Sequence, residues 1–283
     1  MNIELKNVSL CFDNKEVLKS LNFTIEYGKI YGLLGRNGAG KTTLLSLLAG
    51  FLKQTSGQIS VNNEPLFENQ SLIENIVFVN NRKIDSHIKA KKALVTLKKI
   101  RPQLDLNYAY HLLELFQIPT NISIAKLSFG KQAALHAIVG LATQTPIIIY
   151  DEITVGMDAP TRELFYQELL KNYLENPHTI ILSSHIISEM ENMFEEVIII
   201  DQGKVVLHQT TEELQEKCYA IIGDKTKVEE ETNGLNIISQ EEFGNQKRVV
   251  VFEHHQEQKV INDLLKEPVS LQQLFILITK GGN

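Results

Sequence analysis

"GRNGAGKTT", residues 35–43, decides how the chain is read. It has the form G-x-x-x-x-G-K-[ST], with the apolar run "KIYGLL" before it and the helical pattern "TLLSLLAG" after it. The glycines let backbone N–H groups turn inward around phosphate oxygens, and the following helix start adds partial positive charge. In that setting Lys41 reaches the β- and γ-phosphates, and the Thr42 hydroxyl is placed to bind Mg²⁺. Gly50 is positioned to end the helix.

Outward from the loop, the chain alternates between two periods. "IELKNVSLCF" and "SLNFTIEYG" alternate apolar and polar residues on either side of the turn-like "DNKE", and "GQISVNN" and "NIVFVN" follow as short strands. Residues 82–145 read as a mainly helical insertion, through "KAKKALVTLKKI", "NYAYHLLELFQI" and the small-residue helix "GKQAALHAIVGLATQ". "PIIIYDE" is a buried strand, and "APTRELFYQELLKNYLE" is a helix with Pro160 in its first turn. "HTIILSSH" is a further strand, "IISEMENMF" a short helix, and "EVIIIDQGKVVLHQ" a hairpin. The expected fold is α/β with a largely parallel sheet.

Near residue 212 the pattern changes. "QEKCYAIIG", "LNIIS" and "KRVVVFE" read as short strands, "EQKVINDLLKE" and "SLQQLFILIT" as helices, and "KVEEETNG" as a charged loop. This divides the chain into a main domain, 1–211, and a small C-terminal α+β domain, 212–283.

A second chemical pole stands at the end of "IIIYDE". Ligands of open α/β sheets gather at the carboxyl ends of strands. Asp151 is placed to hold Mg²⁺, and Glu152 to polarise an attacking water as general base. His185 ends "IILSSH" at another strand terminus, where it would donate to the γ-phosphate. His111, His136, His178, His208, His254 and His255 carry no such context and read as ordinary histidines.

The bulk composition narrows the class. The chain has 283 residues, 43% apolar and 22% charged, and a net charge of −6. That charge argues against a dedicated nucleic-acid binder. The two cysteines, Cys11 and Cys218, have no metal or disulfide spacing, which fits a reducing compartment. No leader pattern is visible at the N-terminus, and no apolar run approaches the roughly 18 residues of a membrane span. The expectation is a cytoplasmic protein that reaches a membrane only through another chain.

Taken in order, these motifs resemble the ATP-binding subunits of ABC transporters over essentially the whole length. "GRNGAGKTT" resembles Walker A, "LSFGK" the signature LSGGQ, and "IIIYDE" Walker B with its glutamate. "VGMD" resembles the D-loop ending at Asp158, and "SSH" the switch histidine. The fold implied is a P-loop NTPase core with an antiparallel β subdomain and a helical insertion. The activity implied is ATP hydrolysis, with ATP and Mg²⁺ as cofactors.

The resemblance also implies the site. Phe12 falls where an aromatic stacks on adenine, and Gly35, Asn37, Gly38, Ala39, Gly40, Lys41, Thr42 and Thr43 cradle the phosphates. Lys41, Glu152 and His185 carry the catalysis. Thr42, Asp151 and Asn81 hold the metal, Asn81 (or Asn80) standing where the family has the Q-loop glutamine. Ser128, Gly130 and Asp158 meet the nucleotide of a second subunit, so dimerisation belongs to the mechanism.

The chain departs from the pattern at three places. Phe129 replaces a glycine, Lys131 a glutamine and Asn81 a glutamine. Phe129 is expected to point away from the phosphate, and Lys131 to meet a phosphate or an acid across the interface. Homodimer and heterodimer both stay open, with the homodimer ahead. The basic run "KAKKALVTLKKIR" reads as a solvated helix face, with a membrane surface as the alternative.

The end of the chain is similar to ATPases paired with ABC-2-type exporters of drugs, antibiotics, peptides or polysaccharides. An integral membrane permease is the implied partner. A soluble ABC ATPase without a transport role is the competing class.

Overall fold

The computed structural model describes residues 1–13, 15–184, 186–253 and 264–280. Its strands form three sheets. The first is antiparallel, in the order β2-β1-β4-β5: β1 (Ile3–Phe12), β2 (Lys15–Ile25), β4 (Ser56–Val61) and β5 (Glu64–Pro65).

The central sheet has the order β10-β9-β3-β8-β7-β6. It comprises β3 (Ile30–Leu34), β6 (Ile76–Asn80), β7 (Ile147–Asp151), β8 (Thr179–Ser183), β9 (Glu196–Asp201) and β10 (Lys204–Thr210). β9, β3, β8, β7 and β6 run parallel, and β10 folds back antiparallel on β9. The inner strands β3, β7 and β8 are buried at every residue, which is why their sequences are unbroken apolar runs rather than alternating ones.

Each face of the central sheet has its own core. Tyr31, Leu33, Ile149 and Ile181 point to one side, where they meet α1 (Lys41–Leu48) and the antiparallel sheet. Leu34, Ile148, Tyr150 and Leu182 point to the other, towards α4 (Leu106–Leu115), α5 (Phe129–Ala142) and α6 (Ala159–Glu175). α1 ends as expected, with Gly50 at φ 72° and its N–H on Leu47 O at 3.0 Å. The short α2 (Gln70–Ile73) is capped by Asn69, whose side chain accepts from Leu72 N–H.

Packing explains the small residues of α5. A Cβ on Gly140 would stand 2.4 Å from the Tyr150 hydroxyl. Tyr150 is fully buried, with the Phe165 ring edge-on at 5.3 Å, so it cannot retreat. Gly140→Ala therefore overpacks this layer by about 1–3 kcal/mol, more than the roughly 1 kcal/mol gained from helix propensity. The expected result is a melting temperature a few degrees lower; an unchanged or higher value would contradict this packing account.

The insertion differs from the expectation at its start. Residues 82–88 are irregular, not helical, and α3 (Ala90–Ile100) begins only after them. Their backbone is used by the 3₁₀ turn Ile124–Lys126 that leads into α5: Ile124 N–H donates to Ile88 O at 2.9 Å and Ala125 N–H to Ser86 O at 3.0 Å. The basic run is only partly a solvated face. Lys98 closes on Pro102 O and Leu104 O, both at 2.7 Å, and Arg101 donates to Glu74 O and Ile76 O.

The stretch "IISEMENMF" forms two 3₁₀ turns, Ile187–Glu189 and Glu191–Met193, instead of a helix. The third sheet is antiparallel, in the order β12-β13-β11-β14: β11 (Cys218–Asp224), β12 (Ile237–Phe243), β13 (Gln246–Phe252) and β14 (Leu265–Pro268). α7 (Thr211–Lys217) leads into it, so Gln215–Lys217 are helical rather than strand.

The charged loop expected at residues 227–234 contains most of α8 (Lys225–Glu231), capped by the Asp224 carboxylate on Thr226 N–H. Val228 supplies its buried contact. Of the helix expected at 257–267, the last residues lie in β14 and the first fall outside the described residues. α9 (Leu271–Lys280) is helical as expected. Residues of β11 alternate sides: Cys218 and Ala220 join the core of the main body with Val269, Leu271 and Leu274, while Tyr219 and Ile221 pack with Val228 and Val249.

Candidate active site

The carboxyl ends of β3, β6, β7 and β8 come out side by side, and the polar residues singled out in the sequence stand just beyond them. The loop after β3 is built by its glycines. Gly38 and Gly40 have φ of 82° and 109°, which L side chains rarely adopt. Gly35 is constrained by closeness instead: a Cβ there would lie 2.6 Å from Ile200 O on β9. Ala39 faces inward and is buried, and its carbonyl accepts from Gly203 N–H at 3.0 Å, so the loop is tied to the β9–β10 turn.

α1 starts at Lys41 with no side chain capping its first turn. Its leading N–H groups are thus left for an anion. Lys41 is buried, and its Nζ donates to Gly35 O at 2.7 Å and stands 3.8 Å from Glu152 Oε1. Asn37, Gly38, Gly40, Lys41, Thr42 and Thr43 line one wall of an open cleft of about 760 Å³, with Glu152 opposite. Phe12, 48% exposed, lies at its rim with Val17, a residue the sequence reading did not single out.

The two acids are held differently. Asp151 is buried and each of its oxygens accepts one hydrogen bond: Thr42 Oγ1 donates to Oδ2 at 2.7 Å and Ser183 Oγ to Oδ1 at 2.6 Å. Glu152 follows in the left-handed region at φ 52°. That conformation costs a non-glycine residue on the order of 1–3 kcal/mol. Its N–H is held at the Ser183 carbonyl, 3.2 Å, and hydroxyl, 3.1 Å. Ser183 thus sets both acids, a role the motif "SSH" did not reveal because its serines were read only as the approach to His185. His185 itself lies outside the described residues.

The oxygen donors at this pole suit Mg²⁺, which takes one or two carboxylates and completes its shell with water and phosphate oxygens. Thr42 and Asp151 supply a hydroxyl and a carboxylate already in contact. Asn81 leaves the end of β6 and donates its Nδ2 to Val155 O, which fixes the amide so that Oδ1 faces elsewhere. That Oδ1 is buried with no hydrogen-bond partner, an acceptor still to be satisfied. Among the described residues there is no group of three or more His, Cys, Asp and Glu side chains able to hold a metal.

Ser128, Gly130 and Asp158 do not join this cleft. They line a separate hollow with Phe129, Lys131, Gly156 and Met157. Ser128 caps α5, its Oγ accepting from Lys131 N–H at 3.3 Å, and Asp158 caps α6 through Thr161 N–H at 3.0 Å. The Thr161 hydrogen bonds hold the Asp158 carboxyl below its ordinary pKa.

Gly130 approaches the Gly156 carbonyl so closely that a Cβ would stand 2.4 Å from it, and the Phe129 ring covers the other side of Gly156. Phe129 thus turns onto the neighbouring loop with 44% of its surface exposed. Lys131 lines the hollow and also reaches back within the chain. Its Nζ donates to Phe116 O at 2.7 Å, at the C-terminal end of α4, where a cation is favoured.

A parallel sheet with a glycine loop and helix after β3, and an aspartate–glutamate pair at the end of β7, defines a P-loop nucleoside triphosphatase. The model of the family described as ABC transporter matches residues 18–155. The ABC transporter ATP-binding protein YtrB of Bacillus subtilis (strain 168) is 30% identical, the match covering 97% of each chain. The bacitracin transport ATP-binding protein BcrA of Bacillus licheniformis is 31% identical over 72% of this chain and 68% of its own. In fold, the chain is similar to the ATP-binding cassette MJ0796, whose dimer was solved with ADP and Pi. The TM-score is 0.63 and the identity 22%, over 74% of this chain and 98% of that one. This chain belongs to the ATP-binding proteins of ABC transporters, and it is an ATPase.

Proposed function

We propose that the chain is the ATP-hydrolysing subunit of a bacterial exporter, working as a homodimer attached to an integral membrane permease. One observation carries the dimer: the phosphate-loop cleft and the signature hollow are separate cavities with no residue in common. Each is half a site, and two copies facing one another complete both.

In this reading Phe12 stacks on adenine, and the backbone of residues 35–43 and the start of α1 hold the phosphates. Lys41 gives up its bond to Gly35 O for the β- and γ-phosphates. Thr42, Asp151 and Asn81 hold Mg²⁺, which when bound neutralises phosphate charge. Glu152, held in a strained conformation at the cleft, takes the proton of the attacking water. His185 assists at the γ-phosphate. Ser128, Gly130 and Asp158 meet the γ-phosphate region of the second copy from the start of α5, a helix-terminus anion contact.

Residues 212–283 form an accessory domain. Relatives named for bacitracin transport and for Nod factor export support an exporter, and the substrate class we assign is a drug, antibiotic or peptide. No helix among the described residues is long and apolar enough to cross a membrane, so passage requires the permease. Phe129 and Asn81 favour a second arrangement, a heterodimer with unequal sites.

Two measurements test the reading. Purified from its own membranes under mild detergent, the chain carries a polytopic membrane protein with it. In isolation it hydrolyses ATP with Mg²⁺ present, and EDTA abolishes hydrolysis while nucleotide binding persists. Recovery with ribosomes and no membrane protein would replace the transport reading.

A further inference from the structure

α5 carries two polar side chains, one turn apart, that the nucleotide chemistry leaves unused. Gln132 is only 1% exposed, yet it is fully engaged with backbone. Its Oε1 accepts from Ile84 N–H at 2.9 Å, and its Nε2 donates to Ile124 O at 3.0 Å and Leu127 O at 3.4 Å. His136 places Nδ1 2.6 Å from Asn80 O. A carbonyl only accepts, so Nδ1 carries the proton. Nε2 is buried without a partner, and burial holds the ring's pKa below the ordinary imidazole value, so the ring is neutral.

Positions i and i+4 share a helix face. The segment leaving β6 is therefore hooked to one face of α5 at two points, Asn80 and Ile84. Between the hooks, Asn81 reaches Val155 O at the edge of the nucleotide cleft. Beyond them, Ser86 O and Ile88 O accept from the lead into the signature. Arg82, Lys83, Asp85 and His87 remain exposed on the outside of the same segment. Ser128 begins α5 one turn before Gln132.

We propose that Gln132 and His136 are positioning residues that join residues 80–88 and the signature end of α5 into one moving body. A push on the exposed side of that segment, or a change at Asn81, then displaces Ser128 and Gly130 together with it. Neither side chain lines the phosphate-loop cleft, so the device acts on the contact made to the second copy and not on nucleotide capture. The inference rests on the reading that Ser128 and Gly130 meet the nucleotide of a second copy.

The test uses the full chain carrying Glu152→Gln, with Mg-ATP. Dimer formation is followed by light scattering over a concentration series, and a fluorescent ATP analogue reports affinity at monomer concentrations. Gln132→Met keeps length and removes the hydrogen bonds; His136→Leu removes the donor; His136→Asn restores a donor near the Nδ1 position. Gln132→Met and His136→Leu are expected to keep nucleotide affinity within about threefold and weaken the dimer by about tenfold or more, and His136→Asn to recover most of that loss. Unchanged dimerisation in either of the first two variants would overturn the proposal. So would a loss of nucleotide affinity in step with the dimer that His136→Asn fails to rescue. If Glu152→Gln alone stays monomeric, the two-chain reading fails first, which separates its failure from that of the hooks.

Discussion

Replacing Glu152 with Gln lowers the rate of ATP hydrolysis by about 10²–10⁴-fold, the contribution of a positioned general base, while ATP still binds. The substitution keeps the shape of the side chain and removes the carboxylate that would take a proton from water. The left-handed backbone at φ 52° and the two contacts of its N–H with Ser183 do not depend on the side chain's charge. The fold is therefore expected to survive intact. The trapped ATP keeps two copies together, so the variant elutes as a dimer with Mg-ATP and a monomer without it. Steady-state phosphate release and size-exclusion chromatography check both parts. Hydrolysis within a few-fold of the parent chain would remove Glu152 from the chemistry.

Lys41→Ala acts earlier, on binding. Lys41 is a buried cation already pointed along the loop, held by Gly35 O at 2.7 Å and facing Glu152 at 3.8 Å. A charge-assisted hydrogen bond contributes about 1.5–3 kcal/mol, so its loss weakens ATP binding by roughly 10- to 150-fold. Hydrolysis falls further, because charge on the γ-phosphoryl oxygens then goes unopposed. Titration with a fluorescent analogue, read beside the rate, separates the two effects. Equal affinity in variant and parent would place the phosphates somewhere other than this loop.

Much of this was readable in the chain because the chemistry constrains local sequence. A glycine loop between a buried strand and a helix has few other uses, and "IIIYDE" announces both a fully buried strand and the acids at its end. The antiparallel strands and the final helix also followed from their periods. The misreadings came where tertiary contacts overrule local pattern. Residues 82–88 lie in a region of helical composition, yet they are not helical, because the lead into α5 uses the carbonyls of Ser86 and Ile88. "KVEEETNG" looks like a solvated loop, but one buried side chain, Val228, suffices to dock a short helix.

Ser183 was missed for another reason. Its partners Asp151 and Glu152 lie 32 and 31 residues away, and no local spacing marks it. Lys131 shows the same limit: its bond to Phe116 O, 15 residues away, is not marked by its motif position.

The central claim is that a complete site needs the phosphate loop of one copy and the signature of another. Mixing two inactive variants tests it most directly. Lys41→Ala disables the phosphate loop, and Ser128→Arg blocks the start of α5. Each homodimer then has two damaged sites, whereas a mixed dimer regains one intact site, made from the loop of the Ser128→Arg chain and the signature of the Lys41→Ala chain. The predicted result is ATP hydrolysis in the mixture well above the sum of the separate variants. A mixture no more active than that sum, with mixed dimers shown to form, would contradict the two-chain site.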